Sequence, residues 1–347
     1  MTEKQKNIYV YDDFSFSEPM LLGRLYVNTI KGGESYSFEY EREWLKATDM
    51  KINLDPSIMP FTGRQYPEDG NMFGMFADAS PDRWGRMLMN KRERILADRE
   101  GRKPRKLHSS DFLMGVYDET RMGGLRFKLN LDGTFLSDDK EIAVPPWASL
   151  RTLEEASRNF EKDESGVVEK WLEQLLRPGS SLGGARPKAT VVDTKGQLWI
   201  AKFPSKHDEN DTGAWEMVAH DLANLCGLDV PEAKLEKFST LGSTFIVKRF
   251  DRIGTKRVHF ASAMTLLGMK DGASAADGVS YLDLAAFIKA NGVNPKADLL
   301  ELWKRIVFNM AINNTDDHLR NHAFIMSRNG WALSPLYDVN PVPYGDE

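Results

Sequence analysis

The chain is poor in the residues that staple or anchor a protein. One cysteine, Cys226, stands in 347 residues, which excludes an internal disulfide framework and fits a reducing compartment. No apolar run reaches the roughly 20 residues that a membrane-spanning helix needs. The N-terminal Met1-Thr2-Glu3-Lys4-Gln5-Lys6 lacks the apolar core of a signal peptide. No segment repeats. Cations are outnumbered, 46 Lys and Arg against 51 Asp and Glu, for a net charge of −5. That balance argues against a chain-wide nucleic-acid surface while leaving room for a local basic face. What remains is a soluble, globular composition, 41% hydrophobic and 28% charged, long enough for two domains or one two-lobed one. The expected location is the cytoplasm, with no membrane contact.

Local patterning then gives the elements. Ile8–Tyr11, Leu21–Asn28 and Ser35–Tyr40 are β-branched and aromatic runs between polar or Gly-containing segments, and predict strands. In Asp78-Ala79-Ser80-Pro81-Asp82-Arg83-Trp84, Ser80 is the candidate N-cap, Pro81 fits the first helical position and Asp82 suits the positive end of the dipole. That helix runs on through Trp84, Met87, Leu88 and Ile95. Lys91 to Lys106 is dense in Lys and Arg, and reads either as a solvated helix end and loop or as a docking face for a partner or DNA phosphate. Ser109-Ser110-Asp111-Phe112 starts another helix, and Gly123 to Phe127 turns into a strand. Leu131–Pro146, polar, acidic and closed by Pro145-Pro146, is the expected linker. Helices are predicted over Leu150–Phe160 and Val167–Leu176, the second stopped by Arg177-Pro178-Gly179.

Immediately afterwards, Ser180-Ser181-Leu182-Gly183-Gly184-Ala185-Arg186-Pro187-Lys188 forms a glycine-rich loop feeding a hairpin of Ala189–Val192 and Leu198–Pro204. Glycines there let backbone N–H groups approach phosphate oxygens without a Cβ in the way. Lys202 ends an apolar strand, where a lysine either snorkels outward or meets an anion. Together with the loop upstream and an acidic set downstream, pairing with phosphate is favoured. Trp215, Val218, Leu222 and Leu225 recur at helical spacing before Gly227 and predict a helix over about Ala214 to Cys226. Glu216 on it either pairs with Lys202 or is an ordinary first-turn acid, the default choice; Cys226 reads as a small core residue. Thr244–Arg252 is a buried-type strand running into charges, either a hinge offering backbone groups to adenine or a strand ending in a salt-bridged turn. Further helices are predicted at Ser262–Gly268, Tyr281–Ala290 and Lys296–Asn313. The last carries Leu299, Trp303, Ile306, Val307 and Met310 on one face.

That helix delivers Asn314-Thr315-Asp316-Asp317-His318-Leu319-Arg320-Asn321. Two short apolar runs split by Arg328-Asn329-Gly330 follow, and then Pro335-Leu336-Tyr337-Asp338. The order is helix, polar loop, β-hairpin, acidic turn. An Asp with an Asn five positions on, and a further Asp behind a hairpin, is the set that Mg²⁺-assisted phosphoryl transfer from ATP requires. One carboxylate orients or deprotonates a hydroxyl; an amide oxygen and a second carboxylate hold the metal against the phosphates. Such hard oxygen ligands suit Mg²⁺, which keeps waters and nucleotide as its other ligands.

In this order the motifs resemble the HipA family of serine/threonine kinases, toxins of bacterial toxin–antitoxin pairs. The matching pieces are Ser181 to Lys188, Ile200-Ala201-Lys202-Phe203-Pro204, Val247 to Arg252, Thr315 to Asn321 and Leu336-Tyr337-Asp338. The N-terminal stretch with Phe76–Trp84 also looks like that family's N-terminal subdomain. The resemblance implies an α+β, protein-kinase-like two-lobed fold, with an N-terminal mixed α/β subdomain (1–145), a nucleotide-binding lobe (146–255) and a mainly helical lobe (256–347). It implies Asp316 as catalytic base, Asn321 and Asp338 as Mg²⁺ ligands and Lys202 as the ATP-phosphate lysine. Ser181, Gly183, Gly184 and Ala185 would form the phosphate loop. Lys248, Arg249 and Phe250 would stand at the adenine hinge, with His318 and Tyr337 near the nucleotide. Ser181 matches the serine that such kinases autophosphorylate. A phosphate of about −2 charge there would oppose ATP binding.

The implied partners are a HipB-like helix-turn-helix antitoxin, DNA through that antitoxin, and a protein substrate such as an aminoacyl-tRNA synthetase. The chain departs from the family at Arg186, where many members have glutamine, and at Asp317, where many have glycine. Spacing to Asn321 selects Asp316 rather than Asp317 as base. Relatives continue beyond Asp338 into a larger helical subdomain, so a short natural form or a fragment is expected. A catalytically impaired, kinase-like binding module or co-repressor is the alternative function, and a small-molecule kinase would share the same ATP chemistry.

Overall fold

A computed structural model describes residues 5–48, 53–68, 70–136, 144–162, 175 and 184–342. The first strands form where expected: β1 (Gln5–Asp12), β2 (Met20–Ile30) and β3 (Gly33–Tyr40). Together with β4 (Leu125–Lys128) they make an antiparallel sheet in the order β3-β2-β1-β4. Alternate residues such as Ile8 and Val10 point to one face, where they meet Leu25, Phe38, Phe76 and Phe127. Between β3 and β4 lie α1 (Arg42–Ala47), α2 (Gly74–Asp78), α3 (Arg83–Arg99) and α4 (Ser109–Gly115). The start of α3 is displaced from the predicted one. Asp82 is the N-cap, accepting from Gly85 N at 2.8 Å, while the Ser80 hydroxyl donates back to Phe76 O of the preceding turn. The longer-reaching carboxylate wins the cap because it also pairs with buried Lys188 at 3.0 Å.

The second sheet is built from β5 (Lys188–Val192), β6 (Leu198–Lys202), β7 (Ala233–Glu236) and β8 (Thr244–Lys248), in the order β5-β6-β8-β7, all antiparallel. One face is covered by α5 (Leu150–Lys162), whose Leu150 and Leu153 pack on Val191, Trp199 and Ile246. The edge of the sheet is flanked by α6 (Thr212–Leu225), capped by Asp211. The predicted helix at 167–176 lies outside the described residues.

Periodicity finds α6 but misidentifies its inward face. Trp215, Val218, Leu222 and Leu225 are exposed, the last at 82%, and the buried residues are Gly213, Glu216, Ala219 and Ala223. Small residues face inward because the helix lies close to the sheet: a Cβ on Gly213 would stand 2.0 Å from Ser243 O. Cys226, expected in the core, is exposed.

Beyond β8, β9 (Arg252–Ile253) and β10 (Lys256–Arg257) form a small ribbon. Then β11 (Phe260–Ser262), β12 (Ala323–Ser327) and β13 (Gly330–Leu333) form a three-stranded sheet. It packs with α7 (Ala263–Leu266), α8 (Tyr281–Asn291) and α9 (Pro295–Ala311) around Leu284, Ile288, Leu302 and Trp331. On α9, Leu302 and Phe308 are buried, whereas Trp303, Val307 and Met310 are exposed.

Candidate active site

The site lies between the second sheet, α6 and the segment after β13. Register places Lys202 opposite Phe245 and Trp199 opposite Lys248, so Lys202 and the 248–250 segment sit at opposite ends of the β6–β8 ladder. Between them is an apolar slot walled by Ile200, Val247, Ala223, Val230, Leu336 and Val339. Lys202, Glu216 and Asp338 also line it.

The Lys202 ammonium is buried and donates to both Glu216 Oε1 and Asp338 Oδ1, the latter at 2.7 Å. Burial opposes its charge, but Asp338 and Glu216 outweigh burial and hold the ammonium above the ordinary lysine range. Asp338 is held down at about 2: burial would raise it, and Lys202, then Lys188, lower it further. Glu216 goes the other way, raised by burial and by the second carboxylate on the same cation. Glu216, assigned by default to dipole support, is therefore a partner of Lys202. The cue in the sequence was the Gly213, Ala219, Ala223 spacing that brings the helix close.

Asp338 has a left-handed backbone, φ 57°, as does Asn313 (φ 52°) just ahead of the polar loop. Both are conformations that non-glycine residues adopt at a cost of order 1–3 kcal/mol when held by their surroundings. Asp338 is anchored through its neighbour: Tyr337 donates its hydroxyl to Arg320 O at 2.6 Å and packs its ring on Phe250, 5.6 Å between centroids. The next residue, Asn321, donates its amide to Asp316 O at 2.7 Å. This leaves Asn321 Oδ1 buried without a hydrogen-bond partner.

The adjacent aspartates differ sharply. The Asp316 side chain is 67% exposed, with His318 Nε2 3.8 Å away. Asp317 is buried and accepts from His322 Nε2 (2.8 Å), Asn309 Nδ2 (2.8 Å) and the Tyr281 hydroxyl. Asp317 therefore fixes the loop to α8 and α9. Nothing in the sequence pattern signalled that network.

The structure thus brings Lys202 and Asp338 into direct contact, and links Asp338 to Asn321 and Asp316 through Tyr337 and Arg320. Gly184 (φ 64°) ends the glycine-rich loop, where its carbonyl accepts from Trp84 N at 3.4 Å; Ala185 is exposed. Ser181 and Gly183 lie outside the described residues. Lys248 lines the slot with its ammonium 3.8 Å from Glu232. Arg249 also lines the slot, with its guanidinium engaged elsewhere. Its buried guanidinium binds Asp251 twice (2.8 and 2.7 Å) and donates to Thr120 O (2.7 Å) and Arg121 O (3.2 Å). Asp251 also accepts from Gly123 N at 2.9 Å and from Arg252 at 2.6 Å. Arg249 is a strut to the N-terminal region, so the strand over 244–252 does end in a salt-bridged turn, and that end borders the slot.

A four-stranded antiparallel sheet with a helix glutamate on its lysine, joined to a helical region carrying an Asp/Asn loop and a further Asp, defines a protein-kinase-like fold. Residues 180–347 match the family model of the HipA-like C-terminal domain and residues 20–103 that of the HipA N-terminal domain. The chain belongs to the HipA family. It is 28% identical over 191 residues to a candidate kinase of Haemophilus influenzae, covering 48% of this chain and 54% of the relative. To the serine/threonine-protein kinase toxin HipA of Shewanella oneidensis it is 26% identical over 231 residues, 58% and 52% of the two chains. Its fold is similar to that of the S. oneidensis HipA solved with HipB and operator DNA (TM-score 0.66, 18% identity, 96% of this chain and 76% of that one). The chain spans about half the length of the curated relatives it matches.

Proposed function

We propose that this protein is a Mg²⁺- and ATP-dependent serine/threonine protein kinase, acting as a growth-inhibiting toxin restrained by a HipB-like antitoxin. The observation that carries this reading is the buried trio of Lys202, Glu216 and Asp338 beside an unpartnered Asn321 Oδ1. In kinases a lysine paired to a helix glutamate holds the α/β-phosphates, and an Asn and an Asp hold the metal. The donor set here fits Mg²⁺: one ionised carboxylate and one amide oxygen, both hard. Among the described residues no three His, Cys, Asp or Glu side chains gather as a metal cage, so phosphate and water would complete the shell. When bound, the metal supplies neutralisation of phosphate charge.

The chain's own part follows from its geometry. The apolar slot takes adenine, with Lys248 to Phe250 at its end, and Lys202 draws the phosphates to the other end. The exposed Asp316 carboxylate accepts the proton of the attacking hydroxyl, while Asp317 keeps the loop in place. Ser181 is the self-silencing acceptor. HipB-like antitoxin, its operator DNA and a protein substrate such as an aminoacyl-tRNA synthetase are the partners this reading entails.

The test is transfer from γ-labelled ATP by the parent, Asp316→Asn and Ser181→Ala, followed by intact mass. The parent should gain one phosphate, Ser181→Ala none at that position, and Asp316→Asn none anywhere with its melting temperature unchanged. Equal incorporation by Asp316→Asn and parent would refute the assignment. Nucleotide-induced stabilisation without any phosphoserine would instead establish the impaired binding module.

A further inference from the structure

The basic stretch from Lys91 to Lys106 divides in two. Arg102 and Arg105 are structural: Arg102 binds Glu93 at 2.5 Å, and Arg105 binds Asp111 at 3.0 Å. Lys91 and Arg94 of this stretch, with Arg83 and Arg86 just before it, share one face of α3. Trp84, Leu88 and Ala97 are its buried side, while Arg83, Arg86, Asn90, Lys91 and Arg94 recur at helical spacing along an open cleft. The opposite walls are Ala185–Pro187, from the end of the glycine-rich loop, and Ser205–Asp208. The two carboxylates in this cleft are already engaged. Asp208 takes Arg186 in a bidentate pair (2.8 and 2.7 Å), and Glu161 accepts from Ser205 Oγ at 2.7 Å and Lys206 N at 3.0 Å. Among the described residues, a surplus of positive charge, that of the exposed Arg83 and Arg94, therefore faces solvent.

Position gives this surplus a purpose. The cleft begins at the loop that precedes Lys188, and Lys188 is the register partner of Lys202. At about 1130 Å³ it lies just above the roughly 300–1,000 Å³ of a small-molecule pocket, with room for a short polymer segment. Single-stranded nucleic acid needs aromatic platforms for its bases. Phe160 is packed edge-on against Trp84, 5.3 Å between centroids, and the described lining offers no exposed Phe, Tyr or Trp. A carboxylate-rich peptide needs only the cations.

We infer that this cleft binds the acidic flank of the protein segment to be phosphorylated, so that the preferred acceptor is a serine or threonine among Asp and Glu residues. The inference rests on the kinase reading for its purpose, but binding can be measured without transfer. The probe is a short fluorescent peptide with one serine flanked by glutamates, compared by anisotropy with its glutamine counterpart on the full chain. The glutamate peptide should bind about tenfold more tightly at low salt, ~1.4 kcal/mol, and lose that preference as salt rises. Arg83→Glu/Arg94→Glu should remove the preference and leave ATP-induced thermal stabilisation intact. Glutamate at the first position of α3 suits the helix dipole, so the variant folds.

Equal affinity for the two peptides, or a preference that survives the double reversal, overturns the inference. So does a same-length single-stranded oligonucleotide that displaces the glutamate peptide stoichiometrically at equal concentration. If the preference is present but the parent transfers no phosphate to either peptide, the cleft stands and the kinase reading falls. Equal transfer rates to both peptides, with equal binding, sink the cleft alone.

Discussion

Replacing Lys202 by methionine tests the trio at its centre. The ammonium is the one cation between Glu216 and Asp338, and all three groups are largely buried. Methionine fills most of the volume, so the cost is electrostatic: two carboxylates in a poorly solvated site lose their shared counter-ion. Breaking a buried pair from one side costs about 3–5 kcal/mol. The assay is urea denaturation at pH 7, where Lys202→Met should lower the unfolding free energy by that amount and the midpoint with it.

The sign of the pH dependence is fixed. In the parent, Asp338 lies at about 2, below the ordinary 3.8; its contribution is complete above about pH 4 and is lost as pH falls through 2. In the variant both carboxylates rise above their unfolded values, so the penalty is largest at neutral pH and shrinks toward pH 4. Lys202→Met/Glu216→Leu leaves only Asp338, which is partly exposed and has Asn340 nearby at 3.4 Å, and should recover to within about 2 kcal/mol of the parent. A single variant as stable as the parent, a penalty independent of pH, or a double variant no better than the single one would each refute the reasoning.

Three further outcomes are expected. Asp317→Gly strips the acceptor from Asn309, His322 and Tyr281; kcat should fall about 100-fold with KM for ATP nearly unchanged, whereas a parallel loss in both would assign the residue to nucleotide binding. His259 is buried with neither ring nitrogen partnered, stacked on Phe14 at 4.5 Å, and burial pushes it down to about 3 from 6.5. The folded state therefore binds fewer protons between those values, and stability is lost as pH drops from 6.5 toward 3, by on the order of 4 kcal/mol. His259→Phe should flatten that slope in acid titrations followed by circular dichroism. Asp251→Asn leaves Arg249 and Arg252 without their shared carboxylate and should lower stability by about 3–5 kcal/mol; a thermal melt within a degree of the parent would contradict it.

Much of this fold was legible because local chemistry and tertiary placement agree. Strands β1 to β3 follow their alternation, and the hairpin of β5 and β6 follows its turn. Spacing to Asn321 singled out Asp316 over Asp317, and the two carboxylates do differ in setting: one is open and the other accepts from three donors. Legibility failed where a long-range contact chose between local options. Lys188, far away in the chain, made Asp82 rather than Ser80 the cap of α3. Close approach to Ser243 turned the large apolar residues of α6 outward, against the usual rule that the apolar stripe faces the core. The bracing role of the Arg249 guanidinium was hidden because its carbonyl partners, Thr120 and Arg121, are over a hundred residues upstream.

That last contact bears on how the chain can be divided. The family is recognised in two separate stretches, which invites cutting between them. Yet the Arg249–Asp251 pair is completed by two carbonyls and one amide N–H contributed by residues 120 to 123. A C-terminal piece produced alone would open a cationic wound at the base of the apolar slot, and an N-terminal piece would lose the groups that quiet its own backbone. The two halves are inseparable by scissors placed anywhere in the intervening sequence.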